Sequence, residues 1–290
     1  MQGIEDQTGS PALTVIRPSR GWRGPDVREL WRFRDLLWIL ALREIQVRYK
    51  QTLLGVIWVV LQPLATSGLF AGLIGLLMGR GNEPTVAGVP YFVSTFCAML
   101  PWQLFASSLN QAGNSLVANQ RLITKVYFPR LVIPLATVLG ALADFAIGLA
   151  ALAIVMALFG IMPPLQVLLL PALVLLAVMA ALSAGLWLAA LNALYRDFKH
   201  VIPMLVQLGF IVSPVIYTTA SLQGKLPAWA LSLYSLNPMV GVIEGFRWAL
   251  LRQAAPPVLE IALSVVSTSL LLIGGAIYFR RMERSFADLV

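Results

Sequence analysis

From residue 53 onward the chain alternates long stretches without a charge and short clusters of arginine and lysine. The charge-free windows are 53–79, 86–113, 161–195, 201–224 and 261–279, and the window 131–159 carries one charge, Asp144. At 1.5 Å of rise per helical residue, windows of this length cross about 30 Å of hydrocarbon. The pattern predicts an all-α integral membrane protein with six transmembrane helices, at about 53–79, 88–112, 131–159, 165–195, 201–219 and 259–279. The first 27 residues, rich in Gly, Pro, Arg and acids, read as a disordered arm. The first apolar run begins only near Leu53, so no cleavable signal peptide is expected.

Two other segments are apolar without fitting the six windows. Between Leu30 and Lys50, arginines alternate with Trp31, Phe33, Leu36, Leu37, Leu40, Ile45 and Val47. That spacing predicts an N-terminal amphipathic interface helix over 28–52, lying on the cytoplasmic membrane surface. It serves as a membrane anchor alone or also as a contact for a partner; the pattern leaves both open. The second segment, 226–251, is long enough for a seventh crossing. A crossing there would put Arg280, Arg281 and Arg284 outside and place Glu244 and Arg247 in hydrocarbon. Asn237 and Pro238 also read as the cap and first residue of a new helix. An external re-entrant helical hairpin at about 225–252, before the last span, is expected instead. Glu244 and Arg247, three apart on one helix face, are placed to pair.

Composition agrees, with 59% hydrophobic and 12% charged residues and a mean hydropathy of +0.81. A soluble domain of this size cannot bury so much apolar surface. A net charge of +8 in a soluble protein would point to nucleic acid. Here the positive-inside bias explains it. Nine Lys and Arg precede residue 53, three lie in 114–130, two in 196–200 and three in 280–290, against only Arg80, Lys225, Arg247 and Arg252 on the other side. Both termini are therefore expected in the cytoplasm of a multi-pass protein, with no nucleic-acid partner. The one cysteine, Cys97, lies in an apolar stretch and reads as a small buried hydrophobe.

Catalytic chemistry has little to work with. No H-E-x-x-H motif, no paired intramembrane carboxylates and no histidine besides His200 occur, so no catalytic residue and no metal ligand is assigned. The chain lacks G-x-x-x-x-G-K-[ST], so ATP-driven work needs another subunit. Asp144 stands alone near the middle of a span. With no partner visible in the other spans, it is read as a structural group that hydrogen-bonds another helix or lines a wet cavity. Aromatic residues punctuate the spans, either as interfacial belt and packing or as a lining on which sugar rings stack.

Four short motifs, in order, resemble those of ABC-2 type permeases of the polysaccharide-exporting branch, the O-antigen, capsule and teichoic acid transporters. They are 42–50 (LREIQVRYK) with Gly55, Trp58, Gln62 and Pro63; 119–130 (NQRLITKVYFPR) with Pro134; 195–200 (YRDFKH) with 213–217 (SPVIY); and 236–238 (LNP) with Glu244 and Arg247. The resemblance covers nearly the whole chain. It implies a homodimer in the bacterial inner membrane, docked on two copies of a separate nucleotide-binding subunit. ATP and Mg then sit on that partner, and this chain needs no cofactor. The resemblance makes Asn119, Arg121, Lys125, Phe128 and Arg130 the coupling segment to the ATPase, and Arg43, Glu44, Arg48 and Tyr49 the interface-helix motif. The basic residues of the coupling segment serve equally as anchors for anionic headgroups. Trp58, Tyr91, Phe92, Trp102, Phe105 and Tyr217 are the implied channel lining for a polyprenyl-diphosphate-linked polysaccharide. Asn237, Pro238, Glu244 and Arg247 belong to the external gate, whose helix start is expected to offer free N–H groups to the diphosphate. The alternatives are an ABC-2 permease for a lipid or drug, an ion-coupled secondary transporter, and a membrane glycosyltransferase. The last two lack, respectively, intramembrane ionisable groups with internal repeats and a surface carboxylate cluster.

Overall fold

A backbone in hydrocarbon has no water to bond, and an α-helix satisfies its own N–H and C=O groups. Helices accordingly make up almost all of the ordered elements. The computed structural model describes residues 27–50, 55–78, 84–86, 88–126, 128–252 and 255–283. Apart from Val27, the N-terminal arm lies outside the described residues. Two helices come first, α1 (Val27–Arg32) and α2 (Arg34–Lys50), followed by α3 (Gly55–Met78). A small antiparallel ribbon, β1 (Pro84–Val86) and β2 (Val89–Pro90), leads into α4 (Tyr91–Ala118). Next are α5 (Gln120–Lys125), α6 (Val132–Leu158), a 3-10 turn at Leu165–Leu169, α7 (Leu170–Leu194) and α8 (Phe198–Val212). A second 3-10 turn, Thr219–Leu222, precedes α9 (Ala228–Ser235), α10 (Pro238–Leu250) and α11 (Val258–Met282).

Among the described residues, α3, α4, α6, α7 with its leading turn, and α11 are the five helices long and apolar enough to cross a membrane. The continuous helix expected over 201–219 ends early, at Val212. This helix, α8, has 15 residues, about 22 Å of rise. The break has a local cause: Ser213 precedes Pro214, whose ring excludes the helical region for the residue before it, and Ser213 adopts φ −91° and ψ 150°. The chain then runs on without helix. Residues 226–251 are likewise broken, into helices of 8 and 13 residues, neither reaching the roughly 20 that a crossing takes. At the break the Asn237 side chain accepts the Met239 N–H at 3.0 Å and Pro238 takes the first helical position.

Of the five long helices, α4 is the most deeply buried, packed most extensively on α7 and α6. Small residues allow the approach. A Cβ added at Gly185 would lie 2.9 Å from the Ala112 Cβ, so α7 touches α4 nearly backbone to backbone. The main core joins α4, α6, α7 and α10 through Phe96, Leu100, Leu152, Ala180, Ile243 and Phe246. A second core joins Leu40 and Ala41 of α2, Ile123 of α5, Val132 of α6, Ala190 of α7 and Phe279 of α11. This second core gathers the arginine-rich loops at one end of the bundle.

The amphipathic interface helix expected over 28–52 takes the form of α1 and α2, without a single apolar face. In α2, Trp38, Ile39 and Val47 are each more than 60% exposed, whereas Leu40 and Ala41 are buried, so its apolar residues occupy more than one face. Helix α2 packs along α6. Glu44 Cβ lies 3.1 Å from where a Cβ would stand at Gly140, and one turn further along α6 the side chains of Arg48 and Tyr49 reach Asp144. Both helices advance in the same direction. The end of α2 is thereby carried about 18 Å along α6 from its start at Val132.

Candidate functional site

Asp144 does have a charged partner, and it comes from outside the spans. The Arg48 guanidinium donates to one oxygen of Asp144 and to the side-chain carbonyl of Gln111 on α4. The Tyr49 hydroxyl donates to the other Asp144 oxygen. Burial, then the bond to Asp144, pushes the Tyr49 phenol above its ordinary value, which keeps it a donor. Asp144 thus hydrogen-bonds another helix and also lines a cavity, both parts of the structural expectation. That cavity, about 330 Å³, lies between α3, α4, α6 and α8 and is faced by Gln62, Gln103, Ser107 and Asn110 as well as Asp144. A charge at this depth is tolerated when an opposite charge and hydrogen bonds complete it.

The second polar cluster serves the chain beyond α8. Residues 213–219 have no helix to bond their carbonyls, and Arg247 of α10, 1% exposed, supplies the missing donors. Its Nη1 bonds the carbonyls of Pro214 (2.6 Å) and Tyr217 (2.9 Å), and its Nη2 that of Val215 (2.8 Å). Glu244 pairs with Nη1 at 3.2 Å and accepts from the Thr219 N–H and hydroxyl at 2.7 and 2.9 Å. The pairing expected from the three-residue spacing is present, and both groups are turned on the main chain of 214–219. The expected anion site at the start of α10 is overturned. Pro238 has no N–H; Met239 N–H is taken by the Asn237 side chain, Val240 N–H by the Asn237 carbonyl and Gly241 N–H by the Ser264 hydroxyl. All three donors are buried and spent.

The five residues of the expected coupling segment divide into two groups. Arg121 and Lys125 are exposed on α5. Asn119 donates from its amide to the Ser115 carbonyl, Phe128 is buried in the second core, and Arg130 binds Glu283 through its backbone N–H and its guanidinium. Phe128 and Arg130 thus fix the segment against the second core and the end of α11. On α2, Arg43 is exposed, while Glu44, Arg48 and Tyr49 face α6.

The six aromatics of the expected lining do not form one surface within the chain. Trp58 is exposed on α3. Trp102 is 5% exposed and packs with its ring centroid 5.4 Å from that of Phe105 and 5.9 Å from that of Phe210. Phe92 packs on Phe96 and Phe159. The Tyr91 hydroxyl donates to the Ile216 carbonyl, and the Tyr217 hydroxyl to the carbonyls of Ile211 and Val212 at the end of α8. Cys97 is buried, and among the described residues no group of three His, Cys, Asp or Glu is placed to hold a metal.

A family model described as ABC-2 type transporter matches residues 35–251. The chain belongs to that family. Across 263 residues it is 32% identical to the O-antigen export system permease protein RfbA of Myxococcus xanthus, covering 90% of this chain and 98% of the relative. It is 25% identical to a protein of the same name from Klebsiella pneumoniae over 257 residues, 88% and 95% of the two chains. It is 26% identical to the polysialic acid transport protein KpsM of Escherichia coli over 220 residues, 73% and 80% of the two chains. In this ABC-2 transporter chain the family match runs from α2 to the end of α10, so both polar clusters fall inside it. Sequence reasoning missed Gln62, Gln103, Gln111 and Thr219 as site residues. The signal was the list of polar side chains within the apolar windows; their convergence in space was not visible along the chain.

Proposed function

We propose that this chain is the transmembrane permease subunit of an ATP-driven exporter that moves a polyprenyl-diphosphate-linked, O-antigen-like polysaccharide across the bacterial inner membrane. The observation that carries this reading is the similarity to the Myxococcus xanthus O-antigen export permease along 98% of that protein's length. Two copies form a continuous channel, because a long polymer does not fit a closed midplane pocket. Two copies of a separate ATPase dock at the end of the bundle that carries α5, where Arg121 and Lys125 are exposed. The chain has no P-loop of its own. Asp144, held by Arg48 and Tyr49, does not stand free for an ion-coupled cycle.

The chain crosses six times with both termini in the cytoplasm. In this reading the fifth crossing is composite. Helix α8 covers part of the distance and the extended residues after it the rest, since Ile216 meets Tyr91 at the start of α4. Helices α9 and α10 form the external re-entrant hairpin and gate, clamped to the end of that crossing by Glu244 and Arg247.

Two measurements test the reading together. Purification of the tagged protein from its native membrane in mild detergent is expected to bring down a P-loop ATPase in stoichiometric amount. Depletion of the chain is expected to remove the glycan from the cell surface and accumulate its lipid-linked form inside. Unchanged surface glycan after depletion would end the proposal for this cargo.

A further inference from the structure

We infer that the cavity beside Asp144 is a binding site for the uncharged hydroxyl groups of a sugar residue, set in the wall of the transport path. The inference rests on the glycan-export reading and adds to it a location and a ligand chemistry. Gln62, Gln103 and Asp144 come from three different helices, each well away from the helix ends. They converge, with Ser107 and Asn110, on one space of about 330 Å³. That volume is at the lower end for small-molecule sites, which run from about 300 to 1,000 Å³.

Among the described residues, the side chains of exposed Gln62 and half-buried Gln103 have no hydrogen-bond partner in the protein, and the space they face opens to the outside of the single chain. A primary amide facing a space within membrane-spanning helices is strongly disfavoured unless something polar occupies that space. The occupant is water or a ligand that replaces water. Charge then narrows the ligand. Asp144 is the one acidic residue in the lining, and it is already paired with Arg48. A diphosphate finds no uncommitted cation there, and a cation finds a carboxylate already taken. A neutral polyol fits: each hydroxyl both donates and accepts, as does each carboxamide, while Leu100 and Phe145 of the same wall offer apolar surface to the C–H face of a sugar ring. The carboxylate that completes this wall also holds Arg48 and Tyr49. Occupancy of the cavity and the seating of α2 therefore share one group.

Cysteine accessibility in native cells tests this directly. Gln103→Cys, and separately Ser107→Cys, are made in a Cys97→Ser background and treated with a small water-soluble thiol reagent. Labelling is measured in cells that export the glycan and in cells unable to begin its synthesis. Both positions are expected to label in glycan-free cells and several-fold more slowly in exporting cells. Leu69→Cys, on an exposed apolar face of α3, is expected to stay unlabelled in both. Absence of labelling in glycan-free cells would show the cavity dry, and equal rates in the two strains would show that it holds only water; either result overturns the inference. Ser107→Cys exchanges one oxygen for sulfur, so it reports even if the larger change at Gln103 prevents folding. Failure of the export reading itself appears elsewhere, as surface glycan that survives depletion of the chain.

Discussion

Arg247 replaces, with one guanidinium, the backbone donors that a continued α8 would have supplied. Its removal by Arg247→Leu leaves the carbonyls of Pro214, Val215 and Tyr217 without that donor and Glu244 buried without its counter-charge. Each buried group left unsatisfied costs about 1–3 kcal/mol, so loss of folded protein is expected by size-exclusion chromatography in detergent. Arg247→Lys keeps the charge but loses the planar fork, and an intermediate yield is expected. Asp144→Leu is expected to destabilise by about 1–3 kcal/mol, because Arg48 and Tyr49 lose the carboxylate they share in a partly buried site. The double variant Arg48→Met/Asp144→Leu should recover much of that loss in thermal unfolding, whereas an unrelated pair would simply add. These two clusters also show what a sequence discloses at this scale. The Asn237 cap and the Glu244–Arg247 pair were legible because helix geometry brings residues two or three apart together. The partner of Asp144 is 96 positions away, and only packing of α2 on α6 reveals it.

Helix ends, more than helix centres, separated expectation from structure. The long spans were legible because a continuous apolar run has few outcomes other than a helix. The end of α8 was placed too late because hydrophobicity continues through Pro214, Val215 and Ile216 while the backbone has already left the helix. For α2, a three- and four-residue pattern of apolar side chains suggested a single buried face, yet Trp38 and Val47 are exposed on a helix that also buries Leu40 and Ala41. The loop around α5 contains both kinds of residue, and substitution should separate them. Arg121→Glu/Lys125→Glu is expected to lower the amount of ATPase recovered with the permease and leave its unfolding temperature unchanged. Phe128→Ala is expected to lower stability by about 3–5 kcal/mol, seen as a drop in unfolding temperature. Between α10 and α11, a Cβ at Gly241 would stand 2.4 Å from the Glu260 carbonyl oxygen, a backbone atom that cannot rotate aside. Gly241→Val should therefore force the two helices apart and reduce folded yield, without any change in the polar clusters.

At the level of the molecule, the charge asymmetry along the sequence and the second core agree on which loops share one end. The orientation of that end is open to a direct check. Lys125→Cys, in a Cys97→Ser background, is expected to react with an impermeant thiol reagent only after spheroplasts are opened, and Lys225→Cys in intact ones. Reaction of both from the same side would overturn the six-crossing topology. Large apolar side chains on α3, α8 and α11, among them Leu76, Ile211 and Leu270, stand exposed on the single chain and are left for lipid or a second copy to cover. Within this arrangement the clamp on residues 214–217 bears on which side chains there can vary. Arg247 recognises main-chain oxygens, which every residue presents alike, so its hold does not depend on side-chain identity, whereas Val215 is fixed by burial in the main core and Tyr217 by its hydroxyl bonds to the end of α8. The side chain open to change without loosening the clamp is that of Ile216, half-buried and with a main-chain oxygen that Arg247 does not use.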